Sequence, residues 1–450
     1  MAETKYQILI KKFSFYMASM GTAFGLGNLW RFPYAVADYG GGAFVFLYIL
    51  LAIFVGIPLV ISEVILGKYL LQEGITINTL INRMQAPRFL KKAFKTMSWL
   101  PVLVAFGVLT YYSVLSGWSL HLITRSFTSY VFDHSLRGEL SFLTLKQNGL
   151  LQILLLSVHL LLVYLICARG AQFAVSRWLS FVLPIFFIFL IFIGLRILSP
   201  QDLFVAAKYM IYPNFHMLTL ESFSYVLGHV LFTMSLGFSI YISFSFFLPQ
   251  EKASANSSSK VALIDTIISL AIGFIIFPII IVSGYSGRMS EALFRAVPNF
   301  IEFEGLSPLV ACAFYLCVFI AAVNASLGLV EGMLYRTEKY FKITRIKILS
   351  LISFSSLLTA SVVVICNKNM VSQSGLIEIL DDLLINLILP FSALFFTILT
   401  LTCVSRSFVE KEFDVDAAQE NRAIYITWRF FVTYILPVFM ILSMSLRLFD

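Results

Sequence analysis

Residues 21–34, GTAFGLGNLWRFPY, place three glycines, an asparagine and an arginine inside an otherwise apolar run. Glycine costs about 1 kcal/mol in a helix interior, so Gly21, Gly25 and Gly27 invite the chain to unwind there. Unwound backbone exposes carbonyl oxygens, which suit a hard cation, and amide N–H groups, which suit an anion. A second stretch of this kind is HVLFTMSLGFSIYISF, around Thr233 to Gly237. Glycines in membrane helices are most often packing contacts. GLGNLW also fails as a dinucleotide fingerprint, because Trp30 stands where the third glycine belongs. Asn28 and Arg31 lift the stretch above ordinary packing. Enzyme chemistry finds no foothold: His121, His134, His159, His216 and His229 are scattered, with no HExxH and no nucleophile motif. Cys167, Cys312, Cys317, Cys366 and Cys403 lie in apolar surroundings without CxxC spacing and read as structural filler.

The elements that must position these residues are membrane helices. The 450 residues are 59% hydrophobic and 12% charged, with mean hydropathy +0.90, where soluble domains run nearer half apolar and a quarter charged. The net charge of +8 points to cytoplasmic loops rather than nucleic acid. The first apolar run lacks a small-residue cleavage site, so no cleavable signal peptide is expected. At roughly 20 apolar residues per crossing, eleven spans are expected, near 13–36, 42–69, 93–124, 150–167, 172–197, 222–247, 260–284, 306–335, 345–366, 380–405 and 425–448. Basic clusters after the second span (Arg83, Arg88, Lys91, Lys92, Lys95) and the eighth (Arg336, Lys339, Lys342, Arg345, Lys347) put those loops and the N-terminus in the cytoplasm, and the C-terminus outside. The mixed-charge segment EKEFDVDAAQENR reads as a solvated cytoplasmic linker.

Irregular backbone at membrane depth is tolerated only where it lines a cavity. Broken helices at matching positions in two halves point to an inverted-repeat secondary transporter with a midplane site. The expected fold is therefore an all-α integral membrane protein, one domain over 1–450. Its first repeat is 13–197, its second 222–405, and 425–448 is an additional span.

GTAFGLGNLWRFPYAVADYGGGAFVFLYILLAIFVGIPLVISEVILGKY resembles the opening of the neurotransmitter:sodium symporters. TYYSVLSGW, LFTMSLGF, FIAAVNASLGLVEG and LDDLLINLILP extend the resemblance over nearly the whole chain. Eleven spans instead of twelve are similar to the shorter bacterial members. The inverted-repeat rule was itself drawn in part from this family. The resemblance implies a five-plus-five core and sodium-driven uptake of amino acids or their derivatives.

By that resemblance, one sodium ion would meet the Ala23 carbonyl, Asn28, Thr233 and the substrate carboxylate, and a second the carbonyls of Gly21, Phe24 and Ala321 with the Asn324 side chain. The substrate carboxylate would meet amides near Gly25 to Gly27 and the Tyr112 hydroxyl. Thr22, Val108, Phe232, Ser235, Phe238, Ala325 and Leu329 would wall the pocket. Monoamine carriers of the family place an aspartate at Gly25; glycine there fits a substrate that brings its own carboxylate, and the apolar walls favour an aliphatic or aromatic side chain. Arg31 and Asp381 match the outer gate, with Asp382 the alternative partner. Glu63 matches an acid that bonds the unwound backbone, and Glu331 a cytoplasmic-side polar position.

The sequence also departs from the family pattern. Aligned on Gly273, Ser269 takes the place of the chloride-site serine, and Asp265 falls where the family usually has an asparagine of the first sodium site. A buried carboxylate there supplies the charge that chloride supplies elsewhere, which favours chloride independence. The alternative is chloride among Tyr48, Thr233 and Ser269. His229 stands where relatives carry glutamine, and is expected either to pair with Asp265 and titrate or to be a neutral, hydrogen-bonded core histidine. Ala325 removes a hydroxyl often offered to the second sodium. At the inner gate, Tyr6, Leu9 and Lys339 replace the usual residues, with Lys5 and Glu338 as substitutes, and Ala174 replaces a glycine linked in relatives to inner release. The rivals are a proton-coupled carrier on the same fold and a membrane sensor that does not transport.

Overall fold

The computed structural model describes residues 5–133, 136–249, 253–285, 287–369 and 375–449. Among them there is no strand, only an isolated bridge between Gly41 and Pro213. The bundle is built from α1 (Lys5–Ala23), α2 (Phe32–Asp38), α3 (Gly42–Gln72), α4 (Arg88–Phe132), α5 (Gly149–Ala168), α6 (Leu179–Ile197), α7 (Leu220–Thr233), α8 (Ile240–Phe244), α9 (Ala255–Val282), α10 (Pro308–Phe341), α11 (Arg345–Asn369), α12 (Leu376–Cys403) and α13 (Gln419–Leu448).

Eight of these helices, α3, α4, α5, α9, α10, α11, α12 and α13, are long and apolar enough to cross a membrane. The other three expected spans differ for local reasons. The first is divided into α1 and α2, and α1 carries Lys5, Lys11 and Lys12. The sixth is divided into α7 and α8. The fifth, α6, contains Pro184 and has a shorter apolar stretch, Leu179–Gly194.

The two interruptions have different local causes. After Ala23 the regular ladder stops, and Gly27–Arg31 resumes as a wide turn before Pro33 at the start of α2; such wide turns are frequent at functional sites. The second begins as a well-capped helix, in which the Thr219 hydroxyl accepts from Ser222 N–H at 3.1 Å and the Ser222 hydroxyl from Thr219 N–H at 2.6 Å. It then breaks through three left-handed residues, Ser235 (φ 56°), Gly237 (φ 79°) and Ser239 (φ 65°). Left-handed backbone costs a non-glycine residue roughly 1–2 kcal/mol, so this break must be held by its surroundings.

Those surroundings are long helices. α4 packs lengthwise on α10, and α5 and α11 cover α4. The α1–α2 segment lies against α6, α9 and α10, while α7 and α8 lie against α3, α10 and α12. The mixed-charge segment after α12 departs from expectation: Glu412 and Phe413 are buried. Lys68 at the end of α3 pairs with Glu412 Oε2 at 2.8 Å, and the backbone N–H and hydroxyl of Ser254 donate to the same oxygen at 3.0 and 2.5 Å. The segment therefore docks on the bundle, because a buried lysine needs an anion beside it.

Candidate functional site

The two breaks meet at one small cavity. Thr22, Gly25, Gly27, Val108, Tyr112, Phe232, Thr233, Ser235, Phe238, Ala325 and Leu329 line it, together with Ile240. Every residue expected around the substrate is thus there except Ala23, whose side chain lies outside the described residues. Ile240 was missed because it is one more apolar residue in an apolar run. None of the lining residues is an acid or a base. The volume is about 20 Å³, room for about one water molecule. Phe232 and Phe238 close it, with ring centroids 6.2 Å apart. On the first break, Gly27 N–H donates to the Tyr112 hydroxyl at 3.3 Å. A Cβ at Gly25 would lie 2.8 Å from the Ala325 Cβ, so that position admits only glycine without a shift.

The second break is tied to the scaffold instead. Gly237 N–H donates to Glu63 Oε1 at 2.7 Å, and the Gly237 carbonyl accepts from the Ser392 hydroxyl at 2.5 Å. Glu63 on α3 thus bonds unwound backbone, as the resemblance implied.

The oxygen donors expected at the first cation position are buried together. Ser269 donates to Asn28 Oδ1 at 3.2 Å and to the Asp265 carbonyl at 2.9 Å, and Thr233 donates to the His229 carbonyl at 3.0 Å. α9 therefore turns both Asp265 and Ser269 into the interior beside the first break. The pairing of His229 with Asp265 is overturned, and so is the hydrogen bond expected of a neutral core ring. Neither ring nitrogen of His229 has a partner among the described residues. Its ring stacks on Phe32 at 5.5 Å and lies beside Tyr48 at 5.6 Å, so it packs as an aromatic side chain. Asp265 Oδ2 and the Tyr48 hydroxyl are likewise without a hydrogen bond among the described residues. At the second cation position, Asn324 Oδ1 already accepts from the Trp178 indole N–H at 3.1 Å. Its Nδ2, without a hydrogen bond among the described residues, is a donor and suits no cation. The first donor set fits a hard cation; the second, as it stands, offers a poorer fit.

Beyond the cavity, Arg31 Nε pairs with Asp381 Oδ2 at 3.2 Å, both side chains buried. Burying two charges costs several kcal/mol per ion and is tolerable only with further bonds. Tyr111 supplies one to Asp381 Oδ1 at 3.0 Å, Asn386 Oδ1 accepts from Arg31 Nη2 at 2.7 Å, and the Tyr225 ring lies 4.3 Å under the guanidinium. Asp382, the alternative partner, bonds Asn386 Nδ2 at 2.6 Å. Asn386 escaped the sequence reading, although its spacing of four from Asp382 puts both on one helix face. Outside this pair opens a vestibule of about 580 Å³, lined among others by Tyr39, Glu221, Tyr225, Asp381, Asp382 and Arg447.

At the opposite end, Arg345 pairs with Glu331, and with Glu338 Oε1 at 3.3 Å. Lys339 lies over the Tyr335 ring at 4.3 Å. The side chains of Lys5, Tyr6 and Leu9 lie outside the described residues, as does His134.

Residues 7–137 match the Sodium:neurotransmitter symporter family. A Bacillus subtilis chain named uncharacterized sodium-dependent transporter YhdH is 28% identical over 450 residues, 98% of each chain. A Haemophilus influenzae chain named uncharacterized sodium-dependent transporter is 27% identical over 80% of each. The creatine transporter of Torpedo marmorata is 35% identical over 119 residues, 26% of this chain and 18% of its own. The crystal structure of MhsT in complex with L-phenylalanine superposes with TM-score 0.80 over 96% of this chain and 97% of that one, at 21% identity. Taken with the helical fold interrupted at its first and sixth segments, these matches point to an integral membrane, sodium-dependent transporter whose residues 7–137 match the sodium:neurotransmitter symporter family.

Proposed function

We propose that the chain imports a hydrophobic or aromatic amino acid together with sodium, by alternating access between a cytoplasmic and an external opening. The observation that carries this reading is a cavity at the meeting of two helix breaks with no acid or base among its lining residues. An isolated buried charge is expensive, so a substrate of one charge would need a counter-charge that the walls do not offer. A zwitterion fits. Its carboxylate would face the Gly27 N–H, the Tyr112 hydroxyl and a sodium ion held by the Ala23 carbonyl, Asn28 and Thr233. Its ammonium would face carbonyls of the breaks. Its side chain would displace Phe232 and Phe238 and rest on Val108, Ala325 and Leu329, since about 20 Å³ holds no side chain. The complex of MhsT with L-phenylalanine agrees with this class of substrate.

Arg31–Asp381 serves as the outer closure on this reading, and the two repeats are 13–197 and 222–405. The N-terminus is cytoplasmic and the C-terminus outside. Arg447, close to the C-terminus, indeed lines the same vestibule as Asp381. Asp265 supplies the negative charge beside the first sodium position, so chloride is not required. The binding of one sodium ion is favoured over two by the engagement of Asn324 Oδ1 with Trp178. That engagement, with the unpartnered Asp265 Oδ2, also supports the second reading, a proton-coupled carrier on this fold. Proteoliposome uptake separates them, with sodium or proton gradients imposed in turn and gluconate replacing chloride, under competition by each of the twenty amino acids. Sodium-driven, chloride-independent accumulation blocked by apolar or aromatic amino acids is expected. Accumulation driven by protons alone sinks sodium coupling, and binding without accumulation sinks transport.

A further inference from the structure

The outer closure reaches further than the Arg31–Asp381 pair. Arg447 in the last turn of α13 bonds Asp382 Oδ1 through Nη2 at 2.9 Å and Glu221 Oε1 through Nη1 at 3.4 Å. Its side chain is only 15% exposed, while that of Asp382 is 48% exposed. The same Asp382 oxygen accepts from Asn386 Nδ2 at 2.6 Å, and Asn386 Oδ1 accepts from Arg31 Nη2 at 2.7 Å. A chain of hydrogen-bonding groups thus runs from α13 through α12 to the arginine of the first break. Glu221, in the first turn of α7, ties in the helix that leads to the second break.

We infer that Arg447 is a positioning residue for the outer closure: by fixing Asp382 it orients the Asn386 amide and so holds Arg31 in its pair with Asp381. The physical reason lies in the amide. An asparagine side chain has a donor end and an acceptor end. With Nδ2 committed to Asp382, Oδ1 must face Arg31; without Asp382 in place, the amide is free to turn its donor end toward the guanidinium, which repels it. Arg447 contributes little as a half-solvated ion pair. It contributes by removing the rotational freedom of Asp382. The additional helix, which the five-plus-five core does not need, therefore has a part in closing the pathway. The inference rests on reading Arg31–Asp381 as the outer closure.

The test uses full-length protein lacking its five cysteines, with Val108→Cys as a probe. Val108 is buried in the central cavity, so a membrane-impermeant thiol reagent reaches it from outside only when the closure opens. Arg447→Met should raise the labelling rate roughly 5-fold or more, the usual lower size of coupling between linked sites. Arg447→Lys should recover part of the loss, and in an Asn386→Leu background Arg447→Met should add nothing. An unchanged labelling rate in Arg447→Met, or the same increment with Asn386→Leu present, overturns the inference. Should Arg447→Met fail to fold, Asp382→Asn carries the same test, because it keeps shape and removes the charge that Arg447 holds. Arg31→Met separates the two levels. If it leaves labelling unchanged, the closure reading itself fails. If it raises labelling while Arg447→Met does not, only the role of Arg447 fails.

Discussion

The two helix breaks have the same task of ending a helix inside the bundle and accomplish it differently. The first uses glycines and a wide turn, and its buried Gly27 N–H meets the neutral Tyr112 hydroxyl at 3.3 Å. The second uses three left-handed residues, and its Gly237 peptide groups are taken by Glu63 and Ser392 at 2.7 and 2.5 Å. A long bond to a neutral group is readily exchanged for a better partner, whereas a short bond to a carboxylate is about twice as strong as a neutral one. The first break is thus built to receive a ligand and the second to stay where it is. Unwinding alone does not make a site; what the surrounding helices leave unclaimed does.

The largest effect should come from Gly25→Asp. It puts a carboxylate into a cavity without a basic side chain, and its Cβ lies 2.8 Å from that of Ala325. An unpaired buried charge costs several kcal/mol, so amino-acid uptake should fall roughly 100-fold or more. Retained uptake would show that the first break does not receive the substrate carboxylate. Next comes Glu63→Leu, which strands the Gly237 N–H. Leaving a buried donor unsatisfied costs about 1–3 kcal/mol, to be read as a lower midpoint in thermal unfolding, with Glu63→Gln recovering most of it. An unchanged midpoint would remove the claim that Glu63 anchors the second break.

Tyr112→Phe should act the other way round. Losing one hydrogen bond to the ligand is worth about 1 kcal/mol, so KM for sodium-driven uptake should rise several-fold with little change in thermal stability. If stability instead falls as far as in Glu63→Leu, the contrast between the breaks disappears. The smallest effect is Ser239→Gly. Ser239 sits at φ 65°, and glycine relieves roughly 1–2 kcal/mol of strain there, partly offset by its greater freedom in the unfolded chain. A slight gain in stability with unchanged uptake is expected; lost uptake would mean that the second break touches the ligand through that side chain.

The first break was legible because glycine, asparagine and arginine have no ordinary place at midspan. The walls of the cavity came from the motifs of the resemblance: in a chain with 45 phenylalanines, nothing local sets Phe232 and Phe238 apart. Pairings across long separations could not be read. Lys68 and Glu412 are 344 residues apart, and Trp178 and Asn324 are 146 apart. The burial of Glu412 is dictated by where α3 ends in space, and no mixed-charge pattern reveals that. His229 was misjudged for a related reason. Its polarity suggested a partner, but Phe32, Phe44 and Tyr48 surround it with rings.

The smallness of the central cavity has an electrical consequence. An ion leaks through a protein along a continuous column of water, and about 20 Å³ closed by two phenylalanines interrupts any such column. Stripping a small ion of its hydration to enter such surroundings costs, in the idealised limit, on the order of 20 kcal/mol. A resting potential supplies only about 2.3 kcal/mol per charge for each 100 mV. Voltage therefore cannot drive a bare cation past this septum, and current must accompany the movement of helices.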